Sequence, residues 1–294
     1  MKPILLDVAG VTFPAYMTFV LLGFIVAIWL SRREAETMGL RSEKVVDLGI
    51  LMLVLGIAGA RILAVLTDGM FMDFVHLCTD PKQVSAVDAL VNHCTADAQC
   101  GYHYLCDTVT NTCYPPRDCF AAIKFWQGGL TYYGGFVLAV PGGWWYARKH
   151  DLGPMRMADL AAPFVMIGLF FGRIGCFFNG CCYGGPTDTW LGILFPPHRT
   201  RPNVPLHPTQ LYEGAAVLAI AAVLYYVVRP RKRGEGEVFG WLLVMYGAWR
   251  FAVELLRVDP RGTLGPLSTS QLISIPLVAL GAWFIWRVRR AAVR

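Results

Sequence analysis

Four charged residues interrupt stretches of this chain that are otherwise apolar enough to cross a membrane: Arg61, Arg173, Arg250 and Glu254. A charge at bilayer depth costs about 2.5–3.5 kcal/mol even on lenient insertion scales, so residues of this kind usually belong to a functional site. The planar guanidinium group of arginine matches the geometry of phosphate oxygens. We therefore predict a site for the headgroup of an anionic phospholipid. The alternative is that these residues form buried ion pairs that only hold helices together.

A histidine and a carboxylate could add acid–base chemistry to this site. Arg250 and Glu254 are four residues apart, so they share one helical face, and Glu254 could simply hold the arginine in place. His207 lies before Pro208, which is typical of the first turn of a helix. Histidine ordinarily titrates near pH 6.5 and suits a general base. A lone histidine at a helix start is also typical of a cap, and the sequence leaves both interpretations open.

Three cysteines follow Arg173 closely: Cys176, Cys181 and Cys182. A disulfide from Cys176 to one of the other two is one interpretation, whereas a bond between the adjacent pair would be strained. A free nucleophilic thiol beside Arg173, whose charge would lower the thiol pKa, is a second. Three small buried thiols are the third. The chain has nine cysteines, so at least one thiol is left over unless it pairs with another chain.

The elements that position these residues are predicted to be membrane helices. Hydrophobic residues make up 55% of the 294 residues and charged residues only 16%, whereas soluble domains carry about 25% charge. The net charge of +6 is carried in short clusters between apolar runs, which does not suggest nucleic-acid binding. We predict an all-α polytopic membrane protein that forms one domain over residues 1–294, without a cleavable signal peptide. Its seven predicted spans, each near the ~20 residues that cross the hydrocarbon core, are residues 14–30, 46–66, 129–147, 158–179, 208–228, 238–257 and 269–286.

Clusters of lysine and arginine predict the orientation of these spans. With seven spans, all four clusters lie on one side, which is the cytoplasmic side by the positive-inside rule. The N-terminus is then outside the cytoplasm and the C-terminus inside. The clusters are Arg32, Arg33, Arg41 and Lys44; Arg148, Lys149 and Arg156; Arg229, Arg231, Lys232 and Arg233; and Arg287, Arg289, Arg290 and Arg294.

Two long segments, residues 68–127 and 180–207, fall on the outer side in this topology. The first is polar, has little with which to build a core, and needs covalent cross-links. Its six cysteines predict three disulfides, and the sequence does not choose among the 15 pairings. A zinc site is the competing interpretation, and the insert is either a partner-binding module or only a stabilised cap. The six cysteines are Cys78, Cys94, Cys100, Cys106, Cys113 and Cys119.

Three blocks of this chain resemble the prolipoprotein diacylglyceryl transferases. The glycine-arginine-asparagine signature of that family is matched at Gly172–Gly184, and its His-Pro-Ser-Gln-Leu-Tyr-Glu block at His207–Glu213. Its late Arg-x-x-x-Glu pair is matched by Arg250 and Glu254. The blocks occur in the family's order across almost the whole chain. Weaker matches are Gly59-Ala-Arg61, Gly128–Gly135, Ala158-Asp159 and Ser270–Pro276.

The resemblance implies a multi-pass enzyme of the bacterial inner membrane. It would move the diacylglyceryl group of phosphatidylglycerol onto the lipobox cysteine thiol of a prolipoprotein at the outer membrane face, releasing glycerol phosphate. The implied partners are phosphatidylglycerol, prolipoprotein lipobox peptides and the bilayer, with no nucleic acid, metal or cofactor. The implied catalytic residues are Arg173, Arg250, Glu254, His207 and Tyr133. The implied substrate-binding residues are Arg61, Tyr16, Asn179, Gly184, Gln210, Tyr212, Cys176 and Cys181.

The chain departs from the family's pattern at three positions. The family's asparagine is here Cys176, its glutamate near the end of the signature is here Cys181, and the histidine of its Gly-Gly-x-x-x-His-Gly-Gly segment is here Tyr133. Tyrosine ordinarily titrates near pH 10 and is a poor base at neutral pH. Two other functions therefore compete: a related membrane transferase that uses a phospholipid donor with a different acceptor, and a non-enzymatic binder of lipids or lipoproteins that uses the insert for recognition.

Overall fold

The computed structural model describes residues 4–8, 11–67, 71–84, 94, 96, 105–110, 112–124, 131–196, 203–257, 263–264 and 267–292. The chain divides into two compact units, one formed by Met1–Asp47 with Ala147–Arg294 and the other by Leu48–Tyr146. The helices are α1 (Ala15–Thr37), α2 (Ser42–Thr67), α3 (Phe71–Thr79), α4 (Tyr132–Lys149), α5 (Pro154–Asn179), α6 (Thr209–Ala222), α7 (Glu237–Val253) and α8 (Thr269–Ala291).

The protein is mostly helical, as its composition predicts. Among the described residues, three short antiparallel strand pairs accompany the helices, and the all-α prediction did not include them. Each strand has two to five residues. The hairpins are β1 (Ile4–Val8) with β2 (Val11–Pro14), β3 (Leu105–Asp107) with β4 (Thr112–Tyr114), and β5 (Thr263–Leu264) with β6 (Leu267–Ser268).

Each of the seven predicted spans coincides with a described helix. Six of the described helices, α1, α2, α5, α6, α7 and α8, are long and apolar enough to cross a membrane. The fourth helix, α4, is not among them because four glycines, a proline and the basic residues Arg148 and Lys149 dilute its apolar residues. Six candidate spans are therefore supported, and the seventh stays a prediction.

The first unit is held together by close packing of its helices. The helix α1 packs along α5, α5 along α6, and α7 along α8. Val217, Ile220, Ala221 and Leu224 lie on one face at helical spacing, and they pack against α5 and α7 in the core. Lipid is as apolar as these side chains, so tight packing and small residues such as Ala221 stabilise the contact more than burial does.

A buried carboxylate on α5 anchors the start of α7. Asp159 is only 3% exposed. Its oxygens accept hydrogen bonds from the backbone N–H groups of Gly236 at 3.0 Å and Phe239 at 2.9 Å, and Lys232 Nζ lies 3.2 Å away. The N-cap residue of α7 is Gly236, which has no side chain, so α5 supplies the cap. Two further pairs that involve the basic clusters are Arg229–Glu34 and Arg289–Glu237.

In the second unit, α2 and α4 approach each other through glycine. A Cβ atom on Gly59 would lie 2.2 Å from the carbonyl oxygen of Gly134, and one on Gly134 would lie equally close to that of Gly59. Only glycine permits this backbone contact. Two residues beyond Gly59, Arg61 donates hydrogen bonds to the carbonyls of Ala122 at 2.8 Å and Ala121 at 2.6 Å. Arg61 therefore fastens part of the cysteine-rich insert to α2.

The insert carries cross-linked cysteines. The sulfur atoms of Cys78 and Cys119 are 2.03 Å apart, and those of Cys94 and Cys106 are 2.09 Å apart. Cys113, which lies opposite Cys106 in the β3–β4 hairpin, is also disulfide-bonded. Cys100 lies outside the described residues. These positions support the prediction of disulfides over the zinc alternative for the insert.

We expect the insert to be oxidised in the folded protein. Digestion without reduction should yield peptides joined through Cys78 and Cys119 and through Cys94 and Cys106, which mass spectrometry identifies directly. The same digest after reduction is the control, and it should contain only the separate peptides. Alkylation of these four cysteines in the native, unreduced protein would contradict the assignment, as would zinc bound to them.

Candidate functional site

Three arginines of the first unit surround one buried carboxylate. This is Glu213, whose side chain is 1% exposed. Arg173 Nε lies 2.9 Å from its Oε2 atom, and Arg250 Nη1 lies 2.9 Å from its Oε1 atom. Arg257 Nη1 lies 3.9 Å from Oε2. Arg173 is near the carboxyl end of α5, Glu213 near the amino end of α6, and Arg250 near the carboxyl end of α7. The site therefore lies where these three helix ends meet.

Arg250 is fixed by two further groups. Its Nη2 atom lies 3.0 Å from Glu254 Oε2 and donates a hydrogen bond to Ser270 Oγ at 2.9 Å. The prediction that Arg250 and Glu254 share one helical face is confirmed. Three guanidinium groups thus face two carboxylates, and the cluster keeps one positive charge in excess when both carboxylates are ionised.

Two of the three arginines remain partly accessible to solvent although they form ion pairs. The side chains of Arg173 and Arg250 remain 17% and 13% exposed, whereas that of Arg257 is 1% exposed. Each guanidinium group has five N–H donors in a rigid fork, and one carboxylate does not use all of them. An anion with forked oxygens, such as a phosphate, can bind to the accessible part of this cluster while Glu213 holds the arginines from behind.

The first turn of α6 fixes the loop that follows α5. Thr209 Oγ1 donates a hydrogen bond to the carbonyl of Cys182 at 2.7 Å, and Gln210 Nε2 donates one to the carbonyl of Cys181 at 2.6 Å. Thr209 and Gln210 are completely buried. Cys182 has a φ of 65°, in the left-handed region that non-glycine residues rarely adopt. The loop backbone is therefore held in a strained conformation by buried hydrogen bonds.

Gly184 is required by packing at the same place. Its N–H donates to the carbonyl of His207 at 2.8 Å. A Cβ atom at this position would lie 2.6 Å from the carbonyl oxygen of Leu256, so a side chain would collide with backbone. The predicted substrate-binding role of Gly184 is untested, and the structure gives this glycine a packing role that brings the loop, α6 and the end of α7 together.

Three thiols lie together beside the arginine cluster. Cys176, Cys181 and Cys182 are free cysteines, and their sulfur atoms all lie within 4.8 Å of one another. Hydrogen bonds from the Cys176 and Cys181 thiols, with a further contribution from the Arg257 guanidinium, lower the pKa of the Cys182 thiol. These three cysteines form no disulfide, so the interpretation of a bond from Cys176 to one of its neighbours is not supported. The structure instead shows a group of three thiols.

His207 is held by a side chain rather than acting as a helix cap. The N-cap residue of α6 is Pro208. The Nδ1 atom of His207 lies 3.3 Å from the hydroxyl oxygen of Tyr212, and the two rings pack edge to face with centroids 6.0 Å apart. Tyr212 therefore orients the half-buried imidazole, which is the role expected of a residue that positions a general base.

The other predicted site residues are distributed between the two units. Tyr16 is the second residue of α1, and its backbone packs on Gly175 of α5. It lies close enough to Arg173 and Cys176 to interact with them electrostatically. Asn179 is the exposed last residue of α5. Arg61 and Tyr133 belong to the second unit, where Arg61 binds backbone carbonyls and Tyr133 is 46% exposed.

The sequence reasoning overlooked three members of the cluster: Glu213, Arg257 and Ser270. The signal for Glu213 was present, because an acid in an apolar span is as costly as the arginines that were selected. Arg257 is the last residue of the predicted span 238–257, where a terminal charge is ordinary, and Ser270 is a neutral residue in the first turn of α8, so neither carries a comparable signal.

An apolar depression of about 430 Å³ lies next to the carboxyl end of α5. Phe177, Phe178 and Phe195 contribute to its walls, and the rings of Phe177 and Phe195 pack edge to face with centroids 6.2 Å apart. Most of the residues that line it are apolar. It lies within a few residues of Arg173 along α5.

These features define a class: a polytopic helical membrane protein with a net-positive arginine cluster, an apolar depression and grouped thiols at one end of its helices. The chain belongs to the family of prolipoprotein diacylglyceryl transferases, whose model matches residues 3–92 and 95–287. The match covers the signature, the His207–Glu213 block and the late arginine–glutamate pair. The family resemblance of the sequence is therefore confirmed.

Three relatives, all named phosphatidylglycerol–prolipoprotein diacylglyceryl transferase, illustrate the similarity. The protein of Clostridium tetani is 28% identical over 291 residues, which is 99% of this chain and 98% of that protein. The protein of Nitratidesulfovibrio vulgaris is 30% identical over 290 residues, or 96% of this chain and 93% of that protein. The protein of Solidesulfovibrio magneticus is 41% identical over 169 residues, or 56% of this chain and 63% of that protein.

Proposed function

We propose that this chain is an enzyme that transfers the diacylglyceryl group of phosphatidylglycerol to the lipobox cysteine thiol of a prolipoprotein. The observation that carries the proposal is the cluster of Arg173, Arg250 and Arg257 with the carboxylates of Glu213 and Glu254, which has one positive charge in excess. Phosphatidylglycerol brings one negative charge in its phosphodiester group, which this excess charge matches. Membership of the family and the names of the relatives agree with this assignment.

The arginine cluster lowers the activation barrier of the chemical step. The acceptor thiol gives up its proton, and its sulfur attacks the carbon of the diacylglycerol unit that bears the phosphate. A carbon–sulfur bond forms, and the bond from that carbon to the phosphate oxygen breaks. The bonding electrons leave with glycerol phosphate, which gains a second negative charge. Arg173 and Arg250 bind that phosphate more tightly as its charge grows, and such differential binding lowers the barrier. Glu213, Glu254 and Ser270 keep the guanidinium groups oriented, so little reorganisation is needed.

The arrangement of charges along the helices supports the predicted orientation. Glu213 lies near the start of α6, and Arg229 lies 16 residues later, roughly 24 Å along the helix axis. The basic clusters and the site are thus at opposite ends. By the positive-inside rule the site end is the outer end. The chain then crosses the inner membrane seven times as one domain, with its N-terminus outside, its C-terminus inside, and residues 68–127 and 180–207 outside.

A transfer assay tests the function and separates the alternatives. The full chain, purified in detergent, should add a diacylglyceryl group to a lipobox peptide when phosphatidylglycerol is present. When expressed in a strain depleted of the family's enzyme, the same chain should support growth. The same peptide with serine in place of the lipobox cysteine is the control and should stay unmodified. Consumption of phosphatidylglycerol without modification of the peptide would favour another acceptor. Binding of the lipid without turnover would favour a binding protein.

The alternative with another acceptor has a specific motive. The departures at Cys176 and Cys181 change groups beside the arginine cluster, and the departure at Tyr133 removes a histidine of the family pattern, whereas Arg173, Arg250 and Glu254 match that pattern. A different acceptor would therefore still be used with a phosphatidylglycerol-like donor. An assay in which the lipid donor is fixed and the acceptor is varied distinguishes the two.

His207 is the residue we assign as general base, and its replacement by glutamine should lower the rate about 100- to 10,000-fold, the usual contribution of a positioned acid or base. Glutamine keeps a hydrogen-bonding group next to Tyr212. Tyr212→Phe is the matched variant: it should change the rate far less, because the imidazole remains. The initial rate of lipobox-peptide modification measures both. If a folded His207→Gln protein keeps its full rate, His207 has only a structural role.

A further inference from the structure

The strongest unexplained feature outside the phosphate chemistry is the group of three thiols. The sulfur atoms of Cys176, Cys181 and Cys182 lie within 4.8 Å of one another. They come from the last turn of α5 and from the loop whose backbone Thr209 and Gln210 fix by buried hydrogen bonds. Cys182 adopts a left-handed conformation, with φ 65°, to join the group. Such backbone strain persists only where the surroundings impose it, and it clusters at functional sites.

The spacing of the sulfurs suits one metal ion. With zinc–sulfur bonds of about 2.3 Å, tetrahedral thiolates lie roughly 3.8 Å apart, so small side-chain rotations bring the three sulfurs to bonding positions. The adjacent Gln210 supports a ligand at this place. Its side chain is completely buried, and among the described residues its Oε1 atom accepts no hydrogen bond. An unsatisfied buried acceptor of this kind is accounted for by an ion or an ordered water.

The ligand type also suits a soft metal ion. Cysteine sulfur is a soft ligand, and a group of three cysteines with this spacing matches a soft divalent ion such as Zn²⁺.

We propose that Cys176, Cys181 and Cys182 bind one Zn²⁺ ion and leave its fourth position open. Three protein ligands with an open fourth position is the pattern of catalytic zinc sites, whereas structural sites use four. The sequence analysis expected no metal here, because each cysteine taken alone has a simpler interpretation. A disulfide between Cys176 and either neighbour is incompatible with this site.

The role of the ion rests on the proposed function. The acceptor thiol of the lipobox peptide occupies the fourth position, and a metal-bound thiol is deprotonated outright. Its proton passes to His207 or to water, the sulfur attacks the glycerol carbon, and glycerol phosphate leaves with the electron pair of the broken carbon–oxygen bond. The ion thereby assists the deprotonation of the acceptor thiol.

Metal content tests the site without reference to activity. The full chain, purified in detergent without oxygen and without a polyhistidine tag, should contain one zinc per molecule by mass spectrometry. Growth with cobalt should give a thiolate-to-cobalt charge-transfer band. Cys181→Ser and Cys182→Ser should each lose the metal. The matched control is the double variant Cys78→Ser with Cys119→Ser. It removes two cysteines of the insert and should retain the zinc.

Several results would overturn the site. Absence of zinc together with three alkylatable thiols would do so, as would a Cys176 disulfide in mass spectra, or retention of zinc by the Cys182→Ser variant. Because Cys176 is buried and its variants could fail to fold, the test relies on Cys181 and Cys182, with thermal unfolding of each variant as the folding check.

The catalytic role is tested separately. A strong chelator should reduce transfer about 10- to 100-fold at pH 7, because a free thiol is only a few per cent ionised there, and added Zn²⁺ should restore the rate. Full transfer by a zinc-free protein would remove the metal proposal and leave the proposed function standing. A protein that binds zinc but transfers nothing from phosphatidylglycerol would remove the proposed function and leave the metal site standing.

Discussion

Arg173→Gln should reduce diacylglyceryl transfer by about 100- to 1,000-fold, the usual effect of removing one charged donor from a preorganised anion site. The protein should still insert and fold, because Glu213 keeps Arg250 at 2.9 Å and Arg257 at 3.9 Å as partners. The measurement is the initial rate of lipobox-peptide modification at varied phosphatidylglycerol concentration. The loss should fall on kcat as well as on KM, since the arginine binds the leaving phosphate more tightly than the bound lipid.

Two matched variants make this prediction specific. Arg173→Lys should recover only part of the rate, because an ammonium group lacks the planar fork that can contact Glu213 and phosphate together. Arg156→Gln alters an arginine at the opposite end of the same helix, α5, and should change the rate by less than about twofold. Full activity of a folded Arg173→Gln protein would show that Arg173 has only a structural role.

Glu213→Gln should destabilise the protein by about 3–5 kcal/mol, the usual cost of removing one partner from a buried ion pair. The reason is the geometry around this carboxylate. Without its charge, Arg173, Arg250 and Arg257 lose the carboxylate that they share, and Arg257 has only 1% of its side chain exposed to solvent. Equilibrium unfolding in mixed detergent micelles measures the change.

The controls for Glu213 separate burial from charge. Glu36→Gln breaks an exposed ion pair in which the side chains of Arg32 and Glu36 are 57% and 50% accessible. This change should cost no more than about 1 kcal/mol of stability. Combining Glu213→Gln with Arg257→Gln should cost less than the sum of the single changes, because the second removes part of the repulsion. An additive result, or a Glu213→Gln protein as stable as the parent, would contradict this account of the cluster.

The sequence by itself determined the class of protein and most of the chemical groups. Apolar runs of membrane length, interrupted by a few charges, can fold only as helices whose backbone groups are satisfied internally, and described helices coincide with all seven predicted segments. The cost of a buried charge selected Arg173 and Arg250. The spacing of Arg250 and Glu254 predicted their contact, because helical geometry is local and needs no knowledge of the rest of the chain.

Only the tertiary structure decided which faces of these helices meet. A span that is apolar on nearly all sides carries little periodic signal, so its rotation about its own axis is not readable from the sequence. Glu213 therefore emerged as the centre of the arginine cluster only once the ends of α5, α6 and α7 were brought together. Arg61, chosen by the same cost argument, instead donates to the Ala121 and Ala122 carbonyls. The three thiols came together for the same reason, since hydrogen bonds from another helix, not their spacing along the chain, set the loop that carries two of them.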